Sequence, residues 1–135
     1  MKSVFVDTDI LLDYLLERKP FYNDALKLMN AGATGKVKLT TSIITISVLI
    51  YFLDRKFTTV ETQQKIKLLR TFIGIADSDS LNVDEMVVSA FQDLEDSLQH
   101  SIAIHNNCHT LITRNKKDYK HASLPVMNAA EFLKK

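Results

Sequence analysis

The feature that most constrains this chain is what joins its strand-like runs. Short stretches rich in apolar and β-branched residues occur at Ser3–Val6, residues 37–41, 74–77, 109–113 and 125–127. Each is separated from the next by a segment with helical spacing, and no hairpin dipeptide such as Asn-Gly lies between any two of them. Strands that cannot return through a tight turn must be joined by crossovers, and crossover-joined strands run parallel. The expected fold is therefore α/β: a three-layer α/β/α sandwich with a short parallel sheet. A length of 135 residues suits one domain, over 1–135. Leu, Ile, Val and Phe make up 44 of these residues, enough to fill a core, and three Gly and two Pro leave little material for a linker.

Helix signals place the chemistry on this frame. Asp7 or Thr8 caps a helix that runs on from the first strand through Leu16. Pro20 suits the first turn of a second helix, with Phe21, Ala25, Leu28 and Met29 on one side, ended by Gly32 and Gly35. Ser42 opens a helix through Leu53. Thr58 and Glu61 have capping-box spacing ahead of an amphipathic helix with Ile66, Leu69 and Ile73 inward. Asp84 and Glu85 suit the first turn of another helix. Asp93 caps the next, which carries Leu94, Leu98 and Ile102, and Asn128 to Glu131 starts a terminal one. Ligands of such sheets collect beyond the carboxyl ends of the strands, so Asp7 and the group Thr113-Arg114-Asn115 are expected on one rim.

Several classes of function are excluded. A net charge of +1 argues against a strongly basic, charge-driven nucleic-acid binder, though not against local basic patches. The single cysteine, Cys108, rules out an intrachain disulfide and a multi-cysteine zinc site, and reads as a small buried hydrophobe. The longest apolar run, residues 48–53, is far short of the roughly 20 residues needed to cross a bilayer and reads as core. The opening Met1-Lys2-Ser3, followed directly by Val4-Phe5-Val6-Asp7, is too short and too acidic for a secretion signal, so a cytoplasmic protein is expected. His100, His105 and His109 have no recognised zinc spacing and read as surface or packing residues.

Three acidic groups remain: Asp7-Thr8-Asp9, Asp93-Leu94-Glu95-Asp96, and Asn115 with Asp118. Each has a plain reading, as a helix cap, acids at a helix start, and a solvated turn, respectively. Brought together, they suit a hard divalent cation, Mg²⁺ or Mn²⁺, which prefers oxygen ligands and keeps positions for water and a phosphate oxygen. Arg114, Lys116, Lys117 and Lys120 interleave the third group and suit a polyanion; a solvated charged loop is the plain alternative.

The ordered set also resembles a known family. Val4-Phe5-Val6-Asp7-Thr8-Asp9-Ile10-Leu11-Leu12-Asp13 resembles the opening of PIN-domain proteins, and Asp93-Leu94-Glu95-Asp96-Ser97-Leu98-Gln99 resembles their second acidic motif. Ile112-Thr113-Arg114-Asn115-Lys116-Lys117-Asp118-Tyr119 resembles their Thr-Arg-Asn-x-x-Asp-Phe segment, and the closing Leu124-Pro125-Val126-Met127 fits the same pattern. The likeness is strongest to small bacterial PIN proteins, including VapC-type toxins. It implies a Mg²⁺- or Mn²⁺-dependent endoribonuclease with Asp7 and Asp96 as the main metal ligands, Asp118, or Asn115 at the neighbouring motif position, completing the acidic rim directly or through water, and Thr8 and Thr113 orienting the ligands. It implies an RNA substrate held by Arg114, Lys116 and Lys117. It also implies a homodimer and an antitoxin protein that masks the acidic rim with a helix and a basic side chain.

One departure stands out. The family usually carries a glutamate on the helix after the second strand, and the matching position here is Val48. A valine cannot bind a metal, which motivates a second reading as a PIN-fold binding module with weakened chemistry. A third comes from Asp7-Thr8-Asp9, which resembles the opening of haloacid-dehalogenase-type phosphatases, where the first Asp is the nucleophile and the second a general acid.

Overall fold

The computed structural model describes residues 2–134. Its elements, in chain order, are β1 (Ser3–Val6), α1 (Thr8–Leu15), α2 (Tyr22–Ala33), β2 (Lys38–Thr41), α3 (Ile43–Leu53), α4 (Thr59–Leu69), β3 (Ile73–Ile75), α5 (Ser80–Val87), α6 (Leu94–His105), β4 (Thr110–Ile112), a 3-10 turn (Lys116–Tyr119), β5 (Val126–Met127) and α7 (Ala129–Leu133). The five strands form one sheet in the order β3-β2-β1-β4-β5, and every pair is parallel.

The alternation of a strand's side chains produces the three layers. Val4 and Val6 face one core with Ile10, Leu11, Leu28, Leu49 and Ile112. Phe5, between them, faces the other with Ile102, Ala103 and Leu111. Helices therefore cover both faces, as an all-parallel sheet requires. The chain leaves β1 toward β2 on one side and reaches β4 on the other, so the strand order reverses between β1 and β4. That crevice is where ligands of open α/β sheets bind. Asp7 closes β1, its backbone N donating to Ile112 O at 2.9 Å, and Thr113 closes β4, donating to Met127 O at 2.9 Å.

Five local expectations are corrected. Pro20 lies outside α2: the chain first turns through residues 18–21, Phe21 N donating to Arg18 O at 3.0 Å, while Asp13 Oδ1 holds Arg18 Nε at 3.0 Å. Gly32 lies inside α2 rather than ending it. An added Cβ there would stand 2.4 Å from Leu39 Cδ1, so Gly32 is what lets α2 lie directly on β2. Gly35, at φ +78°, closes the helix in the conformation glycine favours. Ile73 belongs to β3, not to the helix before it, because α4 stops at Leu69 and Ile73 pairs with Leu39. Asp79, not the Asp84-Glu85 pair, opens α5: its side chain accepts from Leu81 N, and the two acids fall further along the helix. Residues 48–53 are core only in part. Leu49 and Leu53 are fully buried, whereas Ile43, Ile50, Tyr51 and Phe52 leave an apolar strip of α3 exposed.

Candidate active site

Asp7, at the end of β1, does two things at once. Its Oδ1 accepts from Thr8 N at 2.8 Å and caps α1, while its Oδ2 accepts from the Thr113 hydroxyl at 2.9 Å and the Tyr119 hydroxyl at 3.1 Å. The same Tyr119 hydroxyl lies 3.2 Å from Asp96 Oδ1. Acids 89 positions apart in sequence thus meet at one buried oxygen. Asp96 reaches this point because Asp93 caps α6, accepting from Asp96 N at 3.0 Å, and so sets Asp96 in the first turn facing the rim.

Asp118 follows β4 in the 3-10 turn and accepts from Asn115 Nδ2. Ligand oxygens of Asp93, Asp96 and Asp118 lie within 4.8 Å of one another. Asp93, read from the sequence both as the cap of α6 and as a member of the second acidic group, does both: it accepts from Asp96 N and offers a carboxylate oxygen to the cluster.

The electrostatics are those of a site short of positive charge. Burial, followed by the charge of Asp9, pushes the Asp7 carboxyl up to about 6. Burial, then the charges of Asp7 and Asp93, push Asp96 up to about 7. Burial also raises Asp9, against the opposing backbone N–H of Arg114. Tyr119 is held well above its ordinary range by burial and the two flanking carboxylates, so it stays a protonated donor. Among the described residues, Asp96 Oδ2 and Asp9 Oδ1 are buried with no hydrogen-bond partner. Unpartnered buried carboxylate oxygens beside further acids are the arrangement a hard cation relieves, and an all-oxygen donor set fits Mg²⁺ or Mn²⁺.

The other predicted residues fall at different distances from this centre. Thr113 bonds Asp7 directly, whereas the Thr8 hydroxyl turns to Thr45 Oγ1 at 3.0 Å and only its backbone N serves Asp7. Arg114 gives its guanidinium to Asp13, Nε to Oδ2 at 2.7 Å and Nη2 to Oδ1 at 3.1 Å. Lys116 pairs with Glu131 at 2.8 Å, and Lys117 is exposed. Asp9 Oδ2 accepts from Arg114 N at 3.0 Å and Thr113 Oγ1 at 3.3 Å, so it braces the loop after β4 and is not placed as a free general acid.

Val48 is half-buried on α3. The polar contacts of this helix start are made instead by Ser42 and Thr45. Ser42 Oγ donates to Gln99 Oε1, and Gln99 Nε2 donates to Thr45 Oγ1 at 2.7 Å. This fully buried network ties α3 to α6 beside the acids.

Comparison with known proteins agrees with this fold. The PIN domain family matches residues 3–117. Ribonuclease VapC1 of Aquifex aeolicus (strain VF5) is 26% identical over 136 residues, covering 97% of this chain and 93% of the relative. Among solved structures, a toxin-antitoxin complex from Klebsiella pneumoniae superposes with a TM-score of 0.69 at 20% identity, covering 93% of this chain and 97% of the other. VapBC-1 from nontypeable Haemophilus influenzae gives 0.69 at 18%, covering 95% and 98%. VapBC2 from Rickettsia felis, bound to a DNA fragment from its promoter, gives 0.67 at 20%, covering 93% and 98%.

Proposed function

Because the chain belongs to the PIN domain family, we propose that it is a toxin-type endoribonuclease that hydrolyses RNA phosphodiesters at the acidic rim with Mg²⁺ or Mn²⁺. The observation that carries this reading is the meeting of Asp7 and Asp96 at the Tyr119 hydroxyl, 3.1 and 3.2 Å away. The relative named a ribonuclease supports the activity. The whole chain, 1–135, serves as a single PIN-like unit.

Asp7, Asp96 and Asp118 would hold the cation in this reading, with Asp93, whose carboxylate oxygen lies within 4.8 Å of those of Asp96 and Asp118, as a further oxygen donor. The bound ion lowers the pKa of water and offsets charge on the phosphoryl group. The chain's own residues do the rest. Thr113 fixes the orientation of the Asp7 carboxylate. Tyr119 keeps its proton and holds the two acids together while no cation lies between them. Asn115 fixes Asp118. Exposed Lys117 and Lys120, beyond the acids, draw the polyanion toward a rim that would otherwise repel it. Arg114 acts from its bond to Asp13 rather than as a mobile phosphate clamp, and Lys116 reaches the strand only by leaving Glu131.

The solved structure from Klebsiella pneumoniae with this fold is a toxin-antitoxin complex, which supports an antitoxin partner; in this reading the partner covers the rim with a helix and a basic side chain. The exposed apolar strip of α3 supports a homodimer. Among the described residues no helix is long and apolar enough to cross a membrane, which is consistent with a cytoplasmic site of action.

The test is cleavage of a defined RNA with Mg²⁺, Mn²⁺ or chelator. Cleavage should require the cation and fall in Asp7→Asn and Asp96→Asn by more than the ~100-fold upper bound for losing an outer-sphere metal partner. Equal cleavage by all three proteins would place the chemistry elsewhere. Cation-independent RNA binding with no cleavage would favour the binding-module reading.

A further inference from the structure

A second cavity adjoins the acid cleft and takes no part in the steps above. It lies between α1, the lead-in to α2 and the start of α7, and has a volume of about 530 Å³. That falls in the ~300–1,000 Å³ range of sites that enclose small organic groups. One wall is a stacked pair, with the Arg114 guanidinium carbon 3.8 Å from the centre of the Phe21 ring. Phe21 is 40% exposed, so its ring is not committed to the core. The guanidinium plane is locked, because the fully buried Asp13 carboxylate takes two of its donors. Asp24 and Asn128 supply hydrogen-bonding groups around the edge, and Ile10 supplies an apolar surface.

A rigid aromatic–guanidinium platform with a few polar groups around it is how proteins hold a planar heteroaromatic ring removed from its stack. Arg114 also lines the acid cleft, so the two spaces share one side chain. Thr113, the residue before it, is bonded to Asp7. Consecutive Cα atoms are only ~3.8 Å apart, so the cavity begins within a nucleotide's reach of the acids.

We propose that this cavity receives an unstacked base of the RNA strand, next to the phosphodiester held at Asp7 and Asp96; the proposal rests on the nuclease reading. The site selects for chemistry as well as shape. The Asp24 carboxylate repels a phosphate and the two carbonyl oxygens that flank the N3–H of uracil, and it accepts from N–H donors, so bases bearing an exocyclic amino group are favoured over uracil. Phe21 and Arg114 supply the face and Asp24 the edge. Arg114 thus acts as a specificity-determining residue that presents a plane instead of a phosphate clamp.

Two measurements on the full chain test this. Cleavage of a random-sequence single-stranded RNA pool is read by sequencing the ends, for wild type, Asp24→Ala and Phe21→Ala. Binding of hexanucleotides differing at one base is read by fluorescence anisotropy in the Asp7→Asn background, with and without each substitution. The wild type should favour an amino-bearing base at one fixed position beside the cut. Asp24→Ala should flatten that preference while cleavage persists. Phe21→Ala should weaken binding on the order of tenfold, the size of one base–aromatic stack. A preference that survives both substitutions overturns the proposal, leaves the nuclease reading intact and assigns the cavity to a protein partner. Base-selective binding that depends on Asp24, with no cleavage by the wild type, keeps the cavity and removes the nuclease reading. Neither cleavage nor selective binding removes both.

Discussion

Asp93 caps the start of α6 and also offers a carboxylate oxygen within 4.8 Å of those of Asp96 and Asp118. Asparagine caps a helix about as well as aspartate, whereas alanine costs roughly 1 kcal/mol. The two duties can therefore be separated. Asp93→Asn should leave the melting temperature of the metal-free protein nearly unchanged and weaken Mn²⁺ affinity in calorimetry, and Asp93→Ala should lower both. If Asp93→Asn binds Mn²⁺ as tightly as wild type, Asp93 is a cap and nothing more. At this scale the sequence made Asp7, Asp96 and Asp118 legible because each stands where a strand ends or a helix begins. The Tyr119 hydroxyl was not legible. Its motif position is simply aromatic, and only the fold brings that oxygen between two acids from distant segments. The pairing of Arg114 with Asp13 was hidden for the same reason: partners 101 positions apart leave no periodic trace.

Helix starts written in short-range side-chain chemistry were readable in advance. Ser42, Thr58, Asp93 and Asn128 all accept from a backbone N–H three residues on. The start of α2 was not, because Phe21 has no side-chain cap bond and the turn before it is anchored by Arg18 reaching back to Asp13. Gly32 was misplaced because its role is a long-range approach of α2 to β2. Gly32→Ala puts a methyl group against the buried Leu39 side chain. Overpacking of this kind costs about 1–3 kcal/mol. Urea unfolding should show that loss with an unchanged slope, and a stability equal to wild type would mean that Leu39 moves aside freely. The exposed strip on α3 was also unreadable, since a dense apolar run looks the same whether it faces a core or another molecule.

Across the whole molecule, the parallel sheet and its covered faces followed from strands joined by crossovers, and the strand order placed Asp7 and Thr113 at the point of reversal. What the fold adds is the gathering of like charges from distant segments at one buried rim. Asp7 and Asp96 are raised from 3.8 to about 6 and about 7, so the folded state binds protons more tightly than the unfolded chain. Their ionisation therefore works against folding. Metal-free stability should be highest below about pH 4 with respect to these two groups and should decline as pH rises to about 7. Thermal melts in chelator across that window should show this contribution abolished in the double variant Asp7→Asn/Asp96→Asn, because an amide does not titrate. A decline of the same size in the double variant would assign it to other groups. Divalent cation should restore stability at neutral pH and lose its effect as protons compete below about pH 6.

The central claim is that acids from β1 and α6 share one cation. Crystals grown with millimolar Mn²⁺ and measured at the manganese absorption edge locate that ion directly. An anomalous peak should lie between the Asp7 and Asp96 carboxylates, with the Tyr119 hydroxyl shifted from its place between them. A map with no peak at this rim, and Tyr119 still bonded to both acids, would contradict that claim.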